Sequence, residues 1–263
     1  MTIIVYIAAL LPIVLLLWYI YKRDKWQPEP IGQMLKAFFL GITSVILSLF
    51  ISIPSGAIGL YPAEATSIAG AISVAFFGAA IPEELAKFFI LWLFLRKNRH
   101  FNEKMDGIVY AVCVSLGFAA LENIMYLTSN YEEWLVTGIS RALFAVPGHF
   151  CFGILMGYYY SLAKFYPCKR QSHWTLALAA PILAHGVYDS ILFICNVSPE
   201  ISTLLIIAFL FFCHKLWKYG SKKIDEHLER DRQVQVINIC APGLQDKVDE
   251  KEDSLAHKET SFN

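Results

Sequence analysis

The chain has 263 residues, of which 56% are hydrophobic and only 17% charged, and its mean hydropathy is +0.49. Those values exclude an ordinary soluble domain, in which about a quarter of the residues are charged. The 22 basic and 22 acidic residues cancel, no glycine-rich phosphate loop or nucleic-acid motif occurs, and no nucleic-acid partner is expected.

The composition implies an all-α, polytopic helical membrane protein embedded in a lipid bilayer. A bilayer core takes roughly 20 apolar residues per helix, and seven such runs are predicted, over residues 3–21, 33–54, 66–95, 107–127, 138–163, 173–194 and 200–218. The first carries its charges after the apolar run and lacks a small-residue cleavage site, so it reads as an anchor rather than a removed signal peptide. The third is long for one span and is interrupted by Pro82, which predicts a kink or two shorter helices. The loops after the first, third and fifth spans are basic, with Lys22, Arg23, Lys25 and Lys36, then Arg96, Lys97, Arg99 and Lys104, then Lys164, Lys169 and Arg170. The intervening loops hold Glu64, Glu132, Glu133 and Glu200 and no basic residue. By the positive-inside rule the N-terminus is outside and the C-terminus cytoplasmic. Residues 1–220 form the membrane domain. Residues 221–263 are read as a cytoplasmic charged tail, largely disordered, in which "SKKIDEHLERDRQ" could prolong the last helix. The six cysteines are scattered singly and give neither a disulfide framework nor a metal-ligand spacing.

Ionisable groups inside spans are costly, about 2.5–3.5 kcal/mol each at a helix centre. Here they recur: Glu83, Glu84 and Lys87 in the third span, Glu122 and Asn123 in the fourth, His149 in the fifth, and His185 with Asp189 in the sixth. Spacings of three and four residues put Glu83, Glu84 and Lys87 on one helix face and His185 with Asp189 on another. The groups must therefore face each other or water. Four carboxylates, one lysine and two histidines must in turn hold extra protons, charge a histidine or bind a cation. Pro82, Pro147 and Pro181 lie beside these residues and predict kinks in three spans. Simpler readings attach to other positions. Asp106 and Arg141 are read as boundary residues, the Gly153/Gly157 pair as a helix-packing motif, and a lone His149 would be a packing histidine.

Four motifs, in order and each in its own span, resemble the PrsW intramembrane proteases, distant relatives of the CAAX prenyl endopeptidases and bacteriocin-processing membrane proteases. They are "EELAK" from Glu83, "FAALEN" from Phe118 to Asn123, "HFCFG" from His149 and "HGVYD" from His185. The resemblance covers about residues 80–190. It implies intramembrane endopeptidase activity in a multi-pass protein of the bacterial inner membrane, with a single-span membrane protein as substrate. For the best-known members that substrate is an anti-sigma factor, cut on its outer side in envelope stress signalling.

Peptide hydrolysis needs a water, a base and donors for the oxyanion. Glu84 or Glu83 is the candidate base, with Lys87 holding the pair. His149 and His185 orient water or donate to the oxyanion, Asp189 fixes the tautomer of His185, and Asn123 is an uncharged donor beside Glu122. No HExxH motif occurs, and a lysine beside both acids opposes a cation, so no cofactor is favoured. The alternative is zinc held by candidates among Glu84, Glu122, His149 and His185. Outside proteolysis, a proton- or cation-coupled transporter would also bury carboxylates and histidines, and a catalytically silent sensor is a third reading.

Overall fold

The computed structural model describes residues 3–240, and every regular element in them is helical. The helices are α1 (Ile3–Arg23), α2 (Ile31–Ala57), α3 (Ile68–Ser73), α4 (Ile81–Leu95), α5 (Lys104–Ser129), α6 (Trp134–Ser140), α7 (Val146–Phe165), α8 (Arg170–Val197) and α9 (Ser202–Cys240). Among the described residues, six helical runs are long and apolar enough to cross a membrane. The third predicted span is not among them, and it is built of α3, a π-helical stretch, Val74–Ala80, and α4. A second π-helical stretch, Arg141–Ala145, joins α6 to α7.

Both π segments end just before a proline, Pro82 at the second position of α4 and Pro147 at the second position of α7. A proline there offers no N–H to a carbonyl one turn back, and the chain relieves the mismatch by widening. Pro181 behaves differently, since α8 runs through it without a break. Two of the three expected disturbances thus take the form of π turns, and each immediately precedes a helix that begins with polar residues of the site.

α5 is the axis of the bundle. From Met105 to Ala120 it is buried on every side, and α1, α2, α4, α7 and α9 pack around it. Small residues let two neighbours approach closely. A methyl group at Gly157 of α7 would collide with the Gly107 carbonyl of α5, and one at Gly117 of α5 would collide with the Phe38 carbonyl of α2. The Gly153/Gly157 pair therefore does what its spacing predicts, pressing α7 against α5. The exposed faces of α1 and α2, with Ile7, Leu11, Trp18, Phe39 and Phe50, are apolar, as lipid contact requires.

The last helix does extend through "SKKIDEHLERDRQ" and beyond it. α9 continues to Cys240, so residues 221–240 are not a disordered tail, and residues 241–263 lie outside the described part. The reason is packing at the basic end of the bundle. Ile224, His227 and Asp231 are buried there, and the Asp231 carboxylate accepts the backbone N–H groups of Lys104 (3.0 Å) and Met105 (2.8 Å). A carboxylate from α9 thereby caps the N-terminus of α5, where free N–H groups and the helix dipole favour negative charge. Asp106, read from sequence as a boundary residue, is fully buried and forms a reciprocal capping box with Glu103.

Between α1 and α2, Asp24 is also buried and accepts the Glu29 N–H at 3.0 Å. Burial first, then the nearby charges of Glu29, Glu103 and Asp231, raise its pKa from the ordinary 3.8 to about 7, against the lowering effect of the Glu29 N–H. From about pH 4 to about pH 7 the folded chain keeps a proton that the unfolded chain has released, so this group makes stability fall as pH rises across that window. Asp24→Asn keeps an acceptor for the Glu29 N–H and removes the titration. Thermal unfolding of the purified protein at about pH 5 and about pH 8 should show a smaller decline in Tm for the variant than for the parent chain. An identical decline would contradict this assignment.

Candidate active site

Four helices bring the polar residues together: α4 supplies Glu83, Glu84 and Lys87, α5 Glu122 and Asn123, α7 His149, and α8 His185 and Asp189. Lys87 is at the centre and is fully buried. Its ammonium lies 2.8 Å from Glu84 Oε1, 3.3 Å from Glu83 Oε2 and 3.2 Å from His149 Nδ1. An ammonium has three N–H groups and no lone pair, so these three acceptors use all of its donors. The Phe118 ring, the first residue of the "FAALEN" motif, covers the ammonium from 4.0 Å.

The Lys87 contact fixes the state of His149. Nδ1 has to accept from the ammonium, so Nε2 carries the hydrogen and donates to Glu122 Oε2 at 2.8 Å. His185 is held differently. Its Nδ1 faces Glu84 Oε1 at 2.9 Å and its Nε2 faces Asp189 Oδ2 at 3.2 Å, and with both carboxylates ionised the two bonds call for the doubly protonated ring. The Phe152 ring stacks on His185, with centroids 4.7 Å apart. Gly186 leaves room for Phe76 of the first π segment, which any side chain there would strike.

Two residues are placed otherwise than the sequence suggests. Arg141 is not a boundary residue. It opens the second π segment, and its guanidinium donates to Glu122 Oε2 at 2.7 Å and to Asn123 Oδ1 at 2.5 Å while lying over the Tyr126 ring. Asn123 is turned away from the acids and donates its amide to the Ala9 carbonyl of α1 at 3.0 Å. It is therefore a link from Arg141 to the scaffold rather than a free donor beside Glu122. Helical spacing alone does not carry Arg141 to Glu122, because the contact depends on how α6 and the π segment fold back on α5.

A cavity of about 400 Å³ opens onto this cluster. Glu83, Glu122, Arg141, His149, His185 and Asp189 form its polar wall, and Phe144, Phe152, Tyr188, Leu192, Phe193 and Phe209 its apolar one. Lys87 and Glu84 do not reach it. The side chain of Glu83 is 15% exposed, whereas that of Glu84 is wholly covered. The two adjacent carboxylates thus have different situations: Glu83 meets whatever enters the cavity, and Glu84 lies behind it, between Lys87 and His185.

The sequence pattern of the family described as PrsW family intramembrane metalloprotease matches residues 29–214. Among similar proteins, the Protease PrsW of Bacillus subtilis (strain 168) is 38% identical over 88% of this chain and 97% of its own length. The Protease PrsW of Clostridioides difficile (strain 630) is 33% identical over 89% of this chain and 95% of its own. That of Geobacillus kaustophilus (strain HTA426) is 39% identical over 70% and 78%. No solved structure matches the chain.

The family description raises the question of a metal. Among the described residues, Glu83, Glu84 and His149 offer ligand atoms within 4.8 Å of one another, a set that shares only two members with the sequence-based candidates. Carboxylate and imidazole donors are the chemistry of a zinc site, and Glu84 Oε2 is buried without a hydrogen-bond partner. The Lys87 ammonium, however, bonds to all three of these side chains at once. Two unit charges 4 Å apart repel by about 4 kcal/mol at a protein-like dielectric, and a divalent ion doubles that. With Lys87 in this position the residues do not fit a metal.

The fork from Arg141 to Glu122 and Asn123 can be tested by its energetic coupling. In a double-mutant cycle of Arg141→Gln with Glu122→Gln, unfolding should show an interaction of roughly 1–3 kcal/mol. Arg141→Lys should recover only part of it, since an ammonium cannot reproduce the two-pronged contact. Strictly additive single effects would show that the pair does not act as a unit.

Proposed function

The chain belongs to the PrsW family and is an intramembrane protease, and from that premise we propose that Glu83 is the general base that activates the hydrolytic water. The observation that carries this reading is the division of labour between neighbouring carboxylates, with Glu83 on the cavity wall and Glu84 sealed behind it. A base must reach the water it deprotonates. Family membership does not favour the transporter reading of the same buried charges.

The charge pattern supports the same assignment. Glu83, Glu84, Glu122 and Asp189 face Lys87, Arg141 and a doubly protonated His185. One carboxylate in excess remains. Of the three that border the cavity, Glu122 is clamped by Arg141 at 2.7 Å and Asp189 lies 3.2 Å from His185 Nε2, so Glu83, 3.3 Å from Lys87 and 4.0 Å from His185 Nε2, is the most loosely paired. Water held between Glu83 and the substrate carbonyl gives its proton to Glu83 as its oxygen attacks. Negative charge then develops on the carbonyl oxygen, and the cationic groups of the polar wall, His185 and Arg141, are placed to offset it. The proton on Glu83 passes to the leaving amine when the C–N bond breaks. Lys87 and Glu84 are positioning residues in this scheme. Lys87 pairs with Glu83 and holds His149, and Glu84 holds His185.

The substrate proposal follows from the cavity's place. Glu122 and Asp189 lie in the halves of α5 and α8 farther from the basic loops, and with the basic ends in the cytoplasm the cavity faces the outer half of the bilayer. A single-span membrane protein would be cut in the outer half of its span or just beyond it. By the resemblance to the best-known members, that protein is an anti-sigma factor.

Membrane proteomes of cells carrying the parent chain, Glu83→Gln or Glu84→Gln test this directly. Loss of a general base costs about 100-fold or more, so Glu83→Gln, present at parental abundance, should retain an uncleaved single-span protein whose outer part the parent chain releases, and Glu84→Gln, which loosens the hold on Lys87 and His185, should retain it too. The same fragments in all three strains would sink the protease assignment of these residues, and release only from the inner half would overturn the orientation.

A further inference from the structure

At the opposite end of the bundle from the active site, α2, the last turn of α4 and the segment joining α4 to α5 enclose a cleft of about 470 Å³. Three cations line it, Lys36, Lys97 and Arg99, and no carboxylate does. Among the described residues none of the three forms an ion pair. Three other cations at this end have carboxylate partners: Arg23 pairs with Asp225, Lys104 with Asp231 and Lys223 with Glu226. Three like charges around one cleft repel each other, and among the described residues no carboxylate pairs with them.

The other wall is apolar. Leu40 of α2 and Leu93 and Phe94 of α4 complete the cleft, and Lys36 lies with its ammonium 5.9 Å from the centre of the Phe94 ring. That wall runs onto the lipid-facing surface, where Leu35, Phe39 and Leu93 are exposed. A site with unneutralised cations at the level of the loops and a greasy wall turned toward the bilayer is matched by a molecule with a phosphate at one end and a hydrocarbon chain at the other. We propose that this cleft binds an anionic phospholipid from the adjoining leaflet, its phosphate between Lys36, Lys97 and Arg99 and an acyl chain against Leu40, Leu93 and Phe94. Basic pockets between helices at a membrane surface suit such headgroups, and each cation near the surface adds to the attraction.

The lipid would tie α2 to the end of α4, the helix whose other end carries Glu83, Glu84 and Lys87. Because ligand that binds only the folded state raises the unfolding temperature, binding has a readout independent of proteolysis. The purified full chain in neutral detergent is titrated with short-chain phosphatidylglycerol, with phosphatidylcholine of the same chain length, and with inorganic phosphate. Phosphatidylglycerol should raise Tm saturably, phosphatidylcholine should bind at least about tenfold more weakly, and phosphate alone should leave Tm unchanged. The combined Lys36→Gln, Lys97→Gln and Arg99→Gln variant should lose about tenfold or more in apparent affinity, whereas Lys215→Gln, Lys218→Gln and Lys222→Gln together should not. Equal effects of the two lipids, an equal shift by phosphate alone, or equal losses in the two triple variants would each overturn the proposal. Should the first variant fail to fold, the comparison of headgroups on the parent chain decides.

Discussion

The Lys87 ammonium organises the polar centre of this protein. It is buried among helices that would otherwise expose two adjacent carboxylates to a dry interior, and its three N–H groups reach Glu83, Glu84 and His149. Removing one partner from a buried charge network leaves the others uncompensated, which typically costs several kcal/mol. The other contacts follow in sequence. Lys87 sets the tautomer of His149, His149 donates to Glu122, and Glu122 is clamped by Arg141, which Asn123 ties to α1. On the other side Glu84 bridges Lys87 to His185, and Asp189 closes the chain.

The scaffold serves that arrangement through close packing and local widening. Glycine contacts press α5 against α2 and α7, so the helices bearing Glu122 and His149 are held at short range. The two π segments alter the phase of the chain just before Pro82 and Pro147, directly upstream of Glu83 and of His149. Insertions of this kind re-aim side chains without breaking the helix. At the far end, the Asp231 cap anchors the extension of α9 to the start of α5, so both ends of the central helix are fixed by residues distant in sequence.

Much of this was legible from the amino-acid order because the relevant information is local. Apolar runs of membrane length, basic loops at alternate connections, and acids, histidines and a lysine at spacings of three and four residues point to a helical membrane protein with one polar centre. The role of Arg141 was not legible. A single arginine near a predicted span end has the pattern of an interfacial residue, and only the fold of α6 onto α5 carries it to Glu122. Nor could the order of residues distinguish Glu83 from Glu84, since one step around a helix separates the cavity wall from the interior. The docking of Ile224, His227 and Asp231 was missed for the same reason. Its charged composition resembles a solvated tail, while the buried His227 and Asp231 find their partners more than sixty residues away in sequence, Tyr158 for the one and Lys104 with Met105 for the other.

The position of the Lys87 ammonium makes a claim about chemistry, because the same three side chains are the set of metal donors found together among the described residues. The decisive measurement is metal content taken together with cleavage of a membrane substrate by the purified protein, before and after exhaustive chelation. A site centred on Lys87 predicts far less than one metal ion per chain and activity that survives chelation. Stoichiometric zinc, with activity lost on its removal and restored by its return, would show that the ammonium yields its place to a metal and would contradict the account.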